Sequence, residues 1–550
     1  MIKSGNSIAH NTVIETDICI VGAGAAGIPM ALEFEQTITK VLLLESGDFK
    51  EEKKTQDLYS GSVSNKTMHS PPDKYRQRRF GGSTTIWGGR CVPFDPIDFE
   101  KRSYIPQSGW PINVDDLADF YPKANSYLEA GYYCYDARNA FNPVPKPMFE
   151  GFTSSAFSTD GIERFSCPTD LGKRYRNRFA QSSNIDLLLN ANVVAIELNN
   201  PGTEVDFLQV ATLNGNAFKV KAKSYILAMG GIETTRLMLV SNNIHKNGIG
   251  NHNDILGRFY MCHIAGNVGR LKINGTTSKV QHGYEISPEG IYCRRRIQLT
   301  AEKQKELGVS NMVARLHFPK ITDPSHKSGI LSGLFMAKNF VSYEYGKRLK
   351  DDEENTLKLK AKHFLNILTD PFNTFKFLLH WLTKRTLAER KFPSVILPNE
   401  SNQFSLEVHA EQIPNKNSRI YLTSEKDALN MPKINVDWQY LTEDVEAVKK
   451  TLKFFSEEIA KDEIGNFEFD ADNLETELMR FGAYGGHHIG TTRMGDNPET
   501  SIVNKDCRVH GVSNLYVASS SVFPTSSQAN PTLTITAIAL RLAAHMKTMK

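Results

Sequence analysis

The stretch Thr16-Asp17-Ile18-Cys19-Ile20-Val21-Gly22-Ala23-Gly24-Ala25-Ala26-Gly27, answered by Lys40-Val41-Leu42-Leu43-Leu44-Glu45, decides how this chain folds. Its first six residues are an apolar, β-branched run of the kind buried in a parallel sheet. G-x-G-x-x-G follows at once, residues 28–35 carry a helix, and the second apolar run ends on an acid. In this order Gly22 permits the tight turn, Gly24 lets a pyrophosphate reach the backbone, and Gly27 lets helix and strand pack closely. Glu45 follows Gly27 by 18 residues, where a carboxylate accepts from ribose hydroxyls. The pattern predicts a bound dinucleotide in a doubly wound α/β domain and does not separate NAD from FAD.

Further along, Arg79-Phe80-Gly81-Gly82-Ser83-Thr84-Thr85-Ile86-Trp87-Gly88-Gly89 has too many glycines for a stable helix or strand. It reads as backbone laid against a flat ligand, with serine and threonine hydroxyls as partners. Residues 93–179 are rich in Pro, Tyr, Phe and Asn, as suits an insertion, with one helix over 115–130. A strand pattern resumes over 185–198, and Ser224–Gly231 is another buried strand ending in glycines. The dinucleotide domain is therefore interrupted and resumed. Strands are expected at 406–412, 418–422 and 434–438 in one antiparallel sheet, with a helix over 442–461.

Near the end of the chain stands Gly485-Gly486-His487-His488-Ile489-Gly490-Thr491-Thr492-Arg493-Met494-Gly495. After it, Gln528-Ala529-Asn530-Pro531-Thr532 opens an apolar helix. Glycine-lined loops of this kind place side chains at reaction centres.

Bulk properties narrow the class. The 550 residues are too many for one simple core, and a net charge of +4 gives no case for nucleic-acid binding. Seven cysteines without a C-x-x-C pair argue against a disulfide framework and against structural zinc, so no metal is expected. The first residues lack the apolar core of a secretory signal, and no apolar run is long enough to span a bilayer. The expectation is a reducing, cytoplasmic setting. Residues 335–392 differ: Phe364–Leu368 and Phe372–Leu382 mix large apolar side chains with Lys376, Lys384, Arg385, Arg390 and Lys391. They read as a basic amphipathic helical pair, either a lid on the substrate domain or a membrane-surface or oligomer contact through 364–391.

Together, the G-x-G-x-x-G with Glu45, the Gly81–Gly89 loop, Glu411-Gln412-Ile413-Pro414-Asn415 with Ser418-Arg419, and His-x-x-Gly-Thr with Asn-Pro resemble the glucose–methanol–choline (GMC) flavin oxidoreductases. Gly490–Gly495 and Ala529–Thr534 look most like the pyranose oxidase and sugar dehydrogenase branch. The resemblance implies a discontinuous FAD-binding domain (1–98, 186–268 and 482–550) and an antiparallel-sheet substrate domain (99–185 and 269–481). It implies FAD, held by Gly22, Gly24, Ala25, Ala26, Gly27, Glu45, Ser46, Gly81, Gly82, Ser83, Thr84, Trp87, Gly88, Val194, Gly230, Ala518, Ser519, Asn530, Pro531 and Thr532. It makes His487 the catalytic base and Asn530 its partner, and puts His488 on a position without a catalytic role. Ile86 stands where some relatives carry a histidine linked to FAD, so the cofactor is expected to be non-covalent.

The residue types suit alcohol oxidation on their own account. Neutral imidazole is a general base at working pH, an asparagine amide can donate to the same oxygen, and the helix after Pro531 points its positive end at the cofactor. Gln412 is expected as a further substrate contact. The expected reaction is oxidation of a secondary CH–OH of a sugar or glycoside, with O2, quinone or another acceptor receiving the electrons. Two alternatives stay open: a non-sugar alcohol oxidase or lyase with structural FAD, and a membrane-surface dehydrogenase feeding a quinone or cytochrome.

Overall fold

The computed structural model describes residues 1–319, 321–322, 324–337, 356–388, 393 and 402–549. The strand Val13–Val21, buried over its last four residues, lies at the centre of an eight-stranded sheet. To one side run Val41–Leu44, Ile185–Leu189 and Ile2–Ser4, all parallel. To the other, Ala217–Leu227 is parallel to it and is continued by Val205–Ala211 and Asn192–Leu198, both antiparallel. Leu515–Val517 pairs parallel with the end of Ala217–Leu227, which brings the last part of the chain back beside the first. Helix Gly27–Leu32 packs on this sheet and against the C-terminal helix Thr532–Thr548.

The second layer is a six-stranded antiparallel sheet, ordered Gly465–Glu468, His263–Ile273, Gln403–Glu411, Met312–His317, Ile297–Leu299 and Phe157–Ser158. Its outer face packs on the 20-residue helix Thr442–Lys461, which buries Val445, Val448, Leu452, Phe455 and Ile459 at helical spacing. His263–Ile273 runs across residue 268, where the sequence reading put the end of one domain segment. The α/β architecture with an antiparallel second sheet is the one the sequence implied.

Some local expectations fail for physical reasons. The helix expected over 115–130 is a 3-10 turn, Asp115–Leu117, followed by the helix Phe120–Tyr127. Pro122 lacks an N–H and fits only in a first turn, so the helix starts late. The strand expected over 185–198 is two strands split at Asn190, where φ is 57°. The three strands expected in one sheet divide: Gln403–Glu411 is central in the six-stranded sheet, whereas Arg419–Lys426 and Pro432–Asp437 form a small separate one. In the 335–392 region, helices occur at Leu357–Thr369 and Pro371–Trp381. Residues 338–355 and 389–392, with Arg390 and Lys391, lie outside the described residues.

Candidate active site

A cavity of about 440 Å³ opens where the ends of the parallel strands meet the second sheet. One part is lined by Gly22, Gly24, Ala25, Ala26, Glu45 and Ser46, and by Gly82, Ser83, Thr84, Trp87 and Gly88. Gly230, Ala518 and Ser519 follow, then His487, His488, Asn530, Pro531 and Thr532. The glycine turns meet backbone to backbone: a Cβ on Gly82, whose φ is +55°, would stand 3.1 Å from the Cα of Gly24. The Glu45 carboxylate is buried and fixed by the N–H groups of Ala23 (3.0 Å) and Gly47 (2.9 Å). Burial pushes its pKa above the carboxylate range. A buried carboxylate held only by backbone N–H donors, beside a cleft between glycines, fits the sugar and phosphate parts of a dinucleotide.

Four residues expected in the site stand outside the cavity lining. Gly27 serves packing alone, since a Cβ there would come within 1.9 Å of the Gly22 carbonyl oxygen. Gly81, at φ +99°, turns the chain against Asp170 and Gly172. Val194 faces away because alternation along Asn192–Leu198 gives the cavity Val193 instead. Gln412 is consumed structurally: its Oε1 accepts from Cys262 N–H (2.9 Å) and Trp438 Nε1 (2.8 Å), and its Nε2 donates to the Gln439 carbonyl (2.9 Å). Its oxygen is fully occupied and one of its two N–H donors is used, so the side chain is anchored to the protein.

His487 is set by both halves of the molecule. Its loop is pinned by paired hydrogen bonds between Ile489 and Met261, which leads into the strand carrying His263. Gly486 is required before it, because a Cβ there would lie 2.4 Å from that of Tyr75. Asn530 Nδ2 donates to His487 Nε2 at 3.1 Å. The His487 ring stands at 85° to that of His263, centroids 4.8 Å apart, and His263 lies 4.2 Å from His409. Neither His263 nor His409 was singled out from sequence. Both occupy one face of the antiparallel pair, because His263 is opposite Glu411 and Ala265 is opposite His409. The signal was present in Glu407, His409 and Glu411 alternating with Leu406, Val408 and Ala410, a buried strand with one polar face.

Hydrogen bonds define these tautomers. His263 donates Nδ1–H to the Ser527 carbonyl (3.1 Å), and His409 donates Nδ1–H to the Gln528 carbonyl. Burial holds the pKa of both well below the usual histidine value, and that of His487 falls to about 3 through burial and then the nearby Arg90 guanidinium. One ring nitrogen of each of the three lies within 4.8 Å of the others, a spacing that admits a metal ion. The Arg90 and Arg315 charges beside them oppose a cation there. His488, read as a bystander, also faces the cavity. The Ser70 carbonyl accepts from His69 Nδ1 (2.6 Å), so His69 Nε2 accepts from Tyr260 OH (2.8 Å), and Tyr260 in turn accepts from His488 Nδ1 (2.6 Å). That chain leaves the lone pair of His488 on Nε2, which makes no hydrogen bond.

Residues 414–539 match the GMC oxidoreductase family, and residues 16–257 match the pyridine nucleotide-disulphide oxidoreductases. The chain is an FAD-dependent oxidoreductase whose C-terminal part is similar to the GMC oxidoreductases. It is 23% identical to 2-methyl-1,2-propanediol dehydrogenase of Mycolicibacterium austroafricanum, over 96% of this chain and 94% of the relative. It is also 23% identical to the fructose dehydrogenase large subunit of Gluconobacter japonicus, over 97% and 98% of the two chains. The crystal structure of pyridoxine 4-oxidase from Mesorbium loti shares the fold at a TM-score of 0.54 and 16% identity, covering 97% of this chain and 100% of that chain.

Proposed function

We propose that this oxidoreductase works as a GMC enzyme and converts a secondary CH–OH of a sugar or glycoside to the ketone: Asn530 Nδ2 passes its hydrogen bond from His487 Nε2 to the substrate oxygen, and the freed Nε2 lone pair takes the hydroxyl proton. The observation that carries this reading is the 3.1 Å contact between His487 Nε2 and Asn530 Nδ2, on two elements from distant parts of the chain, inside the cavity. FAD, when bound, supplies the hydride acceptor. Gly22, Gly24, Gly82, Glu45 and the start of the helix Thr532–Thr548 would hold it. At the position of the linking histidine of some relatives stands Ile86, a hydrocarbon 52% exposed and lining the cavity, which supports non-covalent binding.

Neutral His487 is the form that accepts a proton, and a pKa near 3 keeps it neutral throughout the physiological range. The proton stays on the ring only while negative charge compensates it nearby. Polar groups from the second sheet and the loops, among them Arg90, Glu407 and His488, suit a substrate with several hydroxyls. The fructose dehydrogenase relative favours a sugar, and the propanediol dehydrogenase relative supports a second reading, a small branched diol.

Anaerobic titration of the flavin with sugars, glycosides and short diols, followed by product identification, tests the proposal. Bleaching by a sugar or glycoside with a keto product is expected. Bleaching by diols alone selects the second reading, and bleaching by no alcohol leaves FAD as a structural group. Repeating the turnover with O2 and with a quinone identifies the acceptor class.

A further inference from the structure

Two described helices are built with their polarity reversed. Leu357–Thr369 buries His363 and Asn366 and leaves Phe364, Leu365 and Leu368 exposed. Pro371–Trp381 buries none of its residues fully, and its Phe372 and Phe375 are 76% and 68% exposed. This orientation is fixed by directional contacts. His363 Nδ1 meets Ser332 Oγ (3.0 Å), its ring stacks on Phe335 at 4.0 Å, and Asn366 Nδ2 donates to the Pro324 carbonyl (2.8 Å). Asp370, between the helices, accepts from Gly329 N–H (3.0 Å). Phe377 adds a small apolar contact with Ile330 and Leu331. The helices cannot roll their leucines and phenylalanines inward without breaking these bonds.

An apolar patch of this kind on a folded chain marks an interaction surface. We infer that the pair docks flat on an anionic lipid bilayer, with Phe364, Leu368, Phe372, Phe375 and Leu379 among the upper acyl chains. Charge selects this occupant over a second copy of the chain. Lys358, Lys360, Lys362, Lys376 and Lys384 accompany the apolar residues, and Asp370 is the only acid from 357 to 388. Two such faces brought together would oppose like charges, whereas lysines beside an apolar face suit anionic headgroups. Length selects a surface orientation: 13 and 11 residues make helices of roughly 20 and 17 Å, short of the ~30 Å hydrocarbon core. Among the described residues no helix is long and apolar enough to cross a membrane.

The test is co-sedimentation of the full-length, flavin-loaded protein with vesicles of phosphatidylcholine alone and of phosphatidylcholine with phosphatidylglycerol. Stronger binding to the anionic vesicles, weakened by salt, is expected. The triple variant Phe372→Ser, Phe375→Ser, Leu379→Ser should lose about tenfold or more of that binding with unchanged flavin content and substrate turnover. Lys358→Gln, Lys360→Gln and Lys362→Gln should each reduce the anionic preference, on the order of fivefold per lysine. Negligible wild-type binding to anionic vesicles, or equal binding by the triple variant, overturns the inference. So does a dimer, seen by light scattering without lipid, that the triple variant abolishes.

Discussion

His487 is held by the Asn530 amide at its Nε2 and by the two imidazoles of His263 and His409 edge-on to its ring. Removing it should lower the rate of flavin reduction by at least about a hundredfold, while His487→Ala purifies yellow, as stopped-flow reduction and the absorption spectrum would show. Gln412 makes the opposite case. Because all its hydrogen bonds are internal, Gln412→Ala should cost about 1–3 kcal/mol of stability and leave turnover per flavin unchanged. Denaturant unfolding alongside kcat measures both, and a lost rate at full stability would return Gln412 to the substrate. The His487–Asn530 pairing was legible because each lies in a short motif. His263 and His409 were not, since their meeting depends on which residue of one strand stands opposite which of another. The setting of His488 was not legible either, since it depends on Tyr260 and His69, far away in sequence.

At the scale of elements, the strand–turn–helix at the start of the chain and the glycine loop at 81–89 meet through Gly24 and Gly82. Gly82→Ala puts a methyl 3.1 Å from the Gly24 Cα at a φ of +55°, so flavin occupancy, read from the ratio of visible to protein absorbance, should fall while far-ultraviolet circular dichroism stays the same. The buried strands could be read because apolar runs bounded by glycine have few other uses. Element ends were harder. Pro122 delayed a helix and Asn190 split a strand, both effects of a single residue's backbone. Strand partnership was harder still: Gln403–Glu411 and Arg419–Lys426 are neighbours in sequence and lie in different sheets.

The whole molecule buries histidines that stay neutral, and this sets its response to pH. The pKa values of His263, His409, His487 and His488 are all lowered by burial. Below about pH 6.5 the unfolded chain takes up protons that the native state refuses, so stability falls with acid. Asp98 and Asp444 are pushed up by burial to about 8 and about 7. Their stabilising contribution is present at low pH and is lost as pH rises through those values. On the acid side the buried histidines oppose Asp98, Asp444 and the likewise raised Glu45, and the more numerous histidines set the sign. Urea midpoints of the flavin-loaded enzyme should peak near pH 6.5 and decline on either side, whereas a midpoint that rises steadily from pH 7 to 5 would show that the histidines titrate normally and only the aspartates are shifted.

The clamp between Met261 and Ile489 carries a kinetic meaning. It joins the strand bearing His263 to the loop bearing His487 by two hydrogen bonds, of 2.9 and 3.0 Å. A clamshell motion that parted the two layers would break that seam and pull the base away from His263 and His409. The two layers are therefore expected to stay together through turnover, with substrate entering the cavity that Pro393 helps to line.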